Sequence, residues 1–393
     1  MSGGGRRHAR SPAAGPLDDD DLLCEILLRL PPQPSSLPRA SAVCKRWHRL
    51  VSDLGFFRRF RLHHRRSPPL LGFFDRFDGL SFLPALDAPN RISPGRFSLQ
   101  QNDDYDRSLS LGCRHGLVLI FLPKRLQVLV WDPVTGDQHH IAIPPGVATY
   151  AEKTAINGAV LCPAGDGQHF HVVLAVVGSD DKQHEQALAC VYSSKTSQWG
   201  NLISTRIPYQ DNVRGIPNTV HTNEAVLAGD SLYWELTGKV RILEFHLVKQ
   251  NLAMIRVPVD SQGKCFRMMR AGGGGLGLIL VSQSDCTAQL WKRKNDHDGV
   301  MSWVLGRTIE LHKLLSLKTW EKWPLVILGF AEENNEVFLW TTIGMFIIHL
   351  ESLKFKKLSE TNFFSCYHPF ESVYVAGTCV GVGHDGAELL LST

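Results

Sequence analysis

The chain has 393 residues, 44% of them hydrophobic, with 42 Lys and Arg against 38 Asp and Glu and a net charge of +4. That length predicts two or three globular domains, and no stretch reaches the roughly 18 continuous apolar residues of a membrane helix. Nine cysteines without a Cys-x-x-Cys pair, and a start (Gly3 to Gly5, Arg6, Arg7, Arg10) lacking the apolar run of a secretory signal, predict reduced thiols inside the cell, in cytoplasm, nucleus or both.

Residues 1 to 15 are expected to form a disordered tail. From Leu17 the texture changes. Asp18 to Asp21 suit the first turn of a helix, where carboxylates satisfy free backbone N–H groups and meet the positive end of the dipole. Leu22, Leu23, Ile26, Leu27 and Leu30 then recur at helical spacing, and Pro31 and Pro32 end the run. A second short helix is expected with Ser35 or Ser36 as its cap, Pro38 in its first turn, and Ala40, Val43 and Cys44 along it. A third carries Trp47, Leu50 and Val51. About 45 residues bury little core alone, and chains that small need a metal, disulfides or a partner. The segment has no metal-ligand spacing, so a partner is the expected remedy.

Leu22, Leu23, Glu25, Ile26, Leu27, Arg29, Leu30 and Pro31, followed by Leu37, Arg39 and Ala40 and by Val43 to Trp47, resemble in order and spacing an F-box, the adaptor-docking module of ubiquitin-ligase substrate receptors. The family opens with Leu-Pro, whereas here Pro16 precedes Leu17. The resemblance implies docking on a Skp-type adaptor, and through it a cullin. Leu17, Leu22, Leu23, Ile26, Leu27, Leu30, Pro31, Val43, Cys44 and Trp47 would be the contacts, some of them also holding the helices together. On this reading residues 16 to 66 are the F-box.

Charge is uneven: residues 1 to 66 carry 13 Lys and Arg against 6 Asp and Glu. The densest part is Arg58, Arg59, Arg61, Arg65 and Arg66, interleaved with Phe60, His63 and His64. Such a run fits nucleic acid or a nuclear address, but a solvated helix end is the reading favoured. Ser67, Pro68 and Pro69 mark a domain boundary.

Short apolar runs follow to the end. Leu70 to Phe74, Leu117 to Phe121, His171 to Val177, Ser231 to Leu236, Gly277 to Ser282, Glu336 to Thr341 and Val373 to Ala376 read as strands, and their starts recur every 37 to 60 residues or so. After each of the middle five comes an aromatic or aliphatic pair, a turn and another short run. Examples are Val130-Trp131 with Ile141, and Leu290-Trp291 with Trp303 and Ile309. Six or seven copies predict an all-β domain over residues 67 to 393, a six- or seven-bladed β-propeller with a pair of β-sandwiches as the alternative. Leu389 to Leu391 is a candidate to close the ring. The domain resembles, less specifically, the kelch-like propellers that follow F-boxes in large plant receptor families.

Motifs for chemistry are sparse. Gly272, Gly274 and Gly277 spell Gly-x-Gly-x-x-Gly, but a strand-like Leu278 to Val281 follows where a dinucleotide site needs a helix, so the glycines are read as an inter-blade loop. His139, His140, His169, His171, His184 and His246 have no carboxylate or cysteine cluster at ligand spacing, and Asp103, Asp104, Asp106, Asp180 and Asp181 lack the frame of a calcium loop. Trp131, Trp199, Trp234, Trp291, Trp303 and Trp340 are expected in the core. Leu311, Leu314, Leu315 and Leu317, with Trp320 and Trp323, are expected to form a helix inserted on one rim.

No catalytic residue, metal or cofactor is expected. The function predicted is a non-catalytic receptor holding an unknown target protein. A nucleic-acid-binding protein or a propeller enzyme with groups converging in the channel are the rivals.

Overall fold

The structure is a computed structural model that describes residues 17, 19–76, 80–99, 108–151, 153–163, 169–181, 184–207, 219–237, 241–258, 265–295, 301–318, 324–359 and 367–375. It divides into two compact units: the N-terminal segment to Arg66 together with the chain from Val373, and Ser67–Ser372. No helix among the described residues is long and apolar enough to cross a membrane.

The first unit is helical: α1 Asp20–Leu28, α2 Ser36–Ser41, α3 Lys45–Val51 and α4 Leu54–His63. The Asp19 carboxylate caps α1 by accepting the N–H groups of Asp21 and Leu22, at 2.8 and 3.2 Å. Two acidic side chains of α1 tie it to its neighbours. Asp20 accepts Arg46 Nε of α3 at 2.6 Å, and Glu25 accepts Arg59 Nη2 of α4 at 2.8 Å. These pairs are exposed, each worth about 1 kcal/mol or less, so they orient the helices more than they stabilise them. Cohesion comes from burial: Leu23, Leu27, Leu37, Val51, Phe56 and Phe60 close on one another, and Val373 and Val375 complete the same cluster.

The sequence predicts three helices here, and the structure adds α4. The run read as a solvated helix end is an amphipathic helix, capped by the Asp53 carboxylate on Phe56 N–H at 2.8 Å. Its Arg58 and Arg59 face solvent while Phe60 is fully buried.

The second unit is a six-bladed β-propeller. In chain order its strands are β1 Leu70–Asp75 and β2 Phe82–Pro84; β3 Leu109–Arg114, β4 Leu117–Leu122, β5 Gln127–Trp131 and β6 Gln138–Ala142; then, after helix α5 Pro145–Ala151, β7 Ile156–Leu161, β8 His171–Asp181, β9 His184–Ser193, β10 Gln198–Trp199 and β11 Ile203–Ile207. There follow β12 Val226–Ala228, β13 Ser231–Leu236, β14 Arg241–His246 and β15 Asn251–Arg256; β16 Cys265–Arg270, β17 Leu276–Ser282, β18 Thr287–Asn295 and β19 Met301–Glu310; and, after helix α6 Leu311–Leu314, β20 Val326–Ala331, β21 Glu336–Thr341, β22 Gly344–His349, β23 Phe355–Ser359 and β24 Tyr367–Glu371. Blades two to six are antiparallel meanders in chain order. In blade three, β10 and β11 both pair with β9.

Blade one has the order β2-β1-β24, so the last strand returns to pair antiparallel with the first, Phe73 opposite Pro369 and Phe74 opposite His368. That seam joins the two ends of the ring, and it is packed with rings. Phe74 lies 5.2 Å from Phe370, 5.3 Å from Phe82 and 5.6 Å edge-on from Trp131 of blade two, with Phe97 beside them. Aromatic pairs at such distances add about 0.5–1.5 kcal/mol each to their burial. The proposed closing run Leu389 to Leu391 lies outside the described residues, and β24 occupies the place beside β1.

Three expectations are corrected. Val373–Val375 is not a seventh strand, because its valines are taken into the helical unit's core. The glycine run is the β16–β17 turn within one blade, where Gly273 and Gly274 adopt φ of 96° and 84°, conformations that exclude most other residues. Leu311, Leu315 and Leu317 are buried in the seam between blades five and six instead of riding on a rim; Trp320 and Trp323 lie outside the described residues. Of the six core tryptophans, Trp131 and Trp234 are buried and the other four half-buried.

Candidate functional site

The helical unit exposes apolar surface out of proportion to its size. Six of the twelve exposed large apolar side chains among the described residues are Leu17, Leu22, Ile26, Val43, Leu54 and Leu62, so this small unit is where a partner surface is to be sought. Leu22 and Ile26, four apart on α1, share one face and are 50% and 43% exposed. Leu23 and Leu27, one residue and about 100° further round the helix in each case, are fully buried. Arg46 Nη1 donates to the Leu17 carbonyl at 2.6 Å, which draws the first turn of α3 against the start of α1. Val43 and the Cys44 thiol are exposed just before that turn, and Pro31 is exposed after α1.

The ten predicted contacts therefore separate by burial. Leu17, Leu22, Ile26, Pro31, Val43 and Cys44 are exposed; Leu30 and Trp47 are half-buried against the core; Leu23 and Leu27 are inside it. Leu54 and Leu62 were not anticipated. Their signal was present as apolar residues eight apart, but the charges around them hid the helix.

The propeller hub is polar. Arg114, at the end of β3 in blade two, donates from Nη2 and Nε to the two carboxylate oxygens of Glu332 of blade six, at 2.7 and 3.0 Å, and from Nη2 to the Ala225 carbonyl of blade four at 2.8 Å. Glu332 also accepts the Leu227 N–H at 3.0 Å. Burial opposes the Arg114 charge, but Glu332 outweighs it and holds the guanidinium above its ordinary range. Glu224 accepts the Cys113 N–H at 2.6 Å and faces His368 Nδ1 at 3.6 Å, while Glu235 accepts Asn223 Nδ2 at 2.7 Å and lies 3.8 Å from Arg267. Nearer blade one, Glu371 accepts the N–H groups of Glu333 and Asn334 and the Asn334 amide, yet burial pushes its carboxyl up to about 7. Burial, helped by Arg267 and Arg76, pushes His221 down to about 4.

Converging carboxylates and a histidine are what the enzyme reading requires, so their commitments matter. Glu224, Glu235, Glu332 and His368 border a small, partly open pocket of about 40 Å³. Glu332 is consumed by three donors, and the others bind backbone or a neighbouring blade. The nearby Cys113 thiol is pushed well above its ordinary range by burial, and Cys190 to about 12, the opposite of an activated nucleophile. Among the described residues no group of three His, Cys, Asp or Glu side chains is placed to hold a metal ion. The arrangement fastens blades together across the ring.

A four-helix unit with exposed leucine and isoleucine on α1, followed in the chain by a six-bladed propeller, defines an F-box protein with a C-terminal propeller domain. The F-box domain model matches residues 19–59, and F-box domains as a class bind Skp-type adaptors. The chain belongs to the F-box protein AT5G49610-like β-propeller family, whose model matches residues 110–374. No curated protein matches it. Among solved structures it is similar to the β-propeller domain of Cps50 (Swd1) from Myceliophteria thermophila, at 12% identity over 65% of this chain and 73% of that one, with a TM-score of 0.36. It is also similar to the WD40 domain of SCAP from fission yeast, at 11% identity over 71% and 58%, TM-score 0.31, and to apo AztD from Citrobacter koseri, at 7% over 66% and 72%, TM-score 0.29.

Proposed function

We propose that this chain is the substrate-recognition subunit of a Skp-cullin-F-box ubiquitin ligase: its helical unit docks on a Skp-type adaptor, the adaptor joins it to a cullin, and the propeller holds a target protein. The observation that carries the reading is the exposed pair Leu22 and Ile26 on the stripe of α1 flanking the buried Leu23 and Leu27, within the F-box match. An apolar helix face presented at i and i+4 is what helix-in-groove recognition uses. Leu17, Pro31, Val43 and Cys44 extend the contact, Leu30 and Trp47 back it, and Leu23 and Leu27 set the helix that presents it. The chain does no chemistry. Its role is proximity, raising the local concentration of a target lysine near the ubiquitin-charged enzyme in cytoplasm or nucleus. The nucleic-acid reading loses its aromatic component, since Phe60 is fully buried and cannot stack on a base.

Leu22→Ala with Ile26→Ala, in the full chain, tests this. Truncating one interface anchor costs on the order of 2 kcal/mol, about 30-fold in affinity, so the double variant should lose between about 30-fold and a thousandfold while the helical signal is retained. Undiminished adaptor binding by the folded double variant would overturn the proposal. Affinity purification under proteasome inhibition, with and without residues 1 to 66, should lose adaptor and cullin on deletion and keep the target.

A further inference from the structure

The docking unit is not made from one end of the chain. Among the described residues its core cluster has ten buried members, of which eight lie between Leu23 and Phe60 and two are Val373 and Val375, 4% and 3% exposed. Tyr374 between them is 8% exposed. The segment is the immediate continuation of the ring-closing strand β24, and Ser372 N–H, the last residue of the propeller unit, still donates to the Pro69 carbonyl at 3.2 Å. One unbroken stretch of nine residues, Tyr367–Val375, thus supplies the strand that closes the propeller and the valines that complete the helical core.

We infer that Val373 and Val375 are positioning residues of the adaptor-docking helices, so that the docking surface is fully formed only in a chain whose C-terminal segment is present and seated. The physical argument is one of size. Four helices of 9, 6, 7 and 10 residues are each too short to persist alone, and eight buried side chains are a thin core. Two β-branched residues from the far end of the sequence enlarge it, at positions where each is almost wholly removed from water. Leu22 and Ile26 stand on the same turns of α1 as Leu23 and Leu27, which belong to that core, so loosening the core blurs the presented face. A receptor cut short before Val373, or one whose final segment is displaced, would keep every predicted adaptor contact and still present them poorly. The adaptor part of this inference rests on the proposed function; the core part does not.

Native-state hydrogen exchange of the full chain separates the two. In Val373→Ala/Val375→Ala, amide protection in α1 and α4 should fall at least tenfold while β4, β8, β13, β17 and β21 keep theirs, and adaptor affinity should fall with the helices. Val375→Ala alone should give the same order on a smaller scale, which decides the matter if the double variant loses all structure. Unchanged helix protection in the double variant overturns the inference. So does loss that runs in step through helices and strands in both variants, since the segment would then serve the propeller alone. If the unaltered protein binds no adaptor while its helices respond to the valine changes, the docking proposal fails and the structural inference stands.

Discussion

Replacing Arg114 with Met tests how the propeller is held at its hub. The side chain is 6% exposed and its guanidinium joins blade two to Glu332 of blade six and to the Ala225 carbonyl of blade four. Met fills most of the volume, so the loss is electrostatic: Glu332, 11% exposed, keeps only the Leu227 N–H, and the Ala225 carbonyl loses this donor. Breaking a buried pair by removing one partner costs about 3–5 kcal/mol, because it leaves a charge in a poorly solvated place. For a domain of this size roughly 2 °C accompanies each kcal/mol, so Tm should fall by about 6–10 °C. Thermal unfolding followed by fluorescence of the buried Trp131 and Trp234 reads it. Adding Glu332→Gln removes the stranded charge while keeping an acceptor for Leu227, and should recover about half of the loss. A single variant within about 1 kcal/mol of the parent, or a double variant no better than the single, would refute the reasoning, since either result means the pair is well solvated.

Two further outcomes are expected. The Glu371 carboxyl is raised from 4.5 to about 7 in the fold, so between those values the folded protein binds more protons than the unfolded one and stability falls as pH rises through the window; His221, lowered from 6.5 to about 4, has the opposite sign, its contribution being lost as pH falls from 6.5 to 4. Glu371→Gln removes the first slope and leaves the second, so its melting temperature should drop more steeply than the parent's between pH 6.5 and 4, and parallel curves would count against the assignment. At Gly72 in β1 an added Cβ would run into the Leu83 carbonyl oxygen and the Phe82 ring, so Gly72→Ala should lower the urea midpoint by the equivalent of about 3 kcal/mol, the range of overpacked cores.

The strands legible in the sequence are mostly those sandwiched within blades. Ser231–Leu236 and Glu336–Thr341 are bounded to the residue and β4 and β17 to within one, while the expected His171 to Val177 stops four residues short of the end of β8; side chains buried on both faces read as continuous apolar runs. The inner strands β3, β7, β12, β16 and β20 went unseen. Near the axis there is little room and much polarity: Asn157 in β7 donates to the carbonyls of His221 and Asn223, Arg114 and Arg267 reach carboxylates, and a Cβ at Gly329 would lie 2.9 Å from the Tyr367 carbonyl oxygen. In β3 and β16 the polar and charged residues that the hub requires break the apolar signal of a strand, whereas β12 is only three residues long and β20 is apolar throughout, so polarity does not explain why that strand is missed. Val373 to Ala376 failed for the converse reason: its strand propensity was real, but packing on helices decided its fate. In α1 the apolar stripe was legible and its division was not, because Leu22 and Leu23 are chemically alike and only tertiary contacts say which one faces inward.

That division has a thermodynamic consequence for the helical unit. Its cross-links Arg46–Asp20 and Arg59–Glu25 are solvent-exposed and contribute little, so among the described residues its stability rests on a cluster of ten buried side chains, two of them remote in sequence. A partner that binds only the folded helices adds RT ln(1 + [L]/Kd), about 2.7 kcal/mol at a hundredfold excess over Kd. The proposed adaptor and the two valines therefore stabilise the same small equilibrium from different sides. Weakening the valines should show most at low adaptor concentration and fade at saturation, as helix folding and docking become one event. A defect that persisted undiminished at saturating adaptor would instead place the valines' effect in the contact surface, where their burial gives them no part.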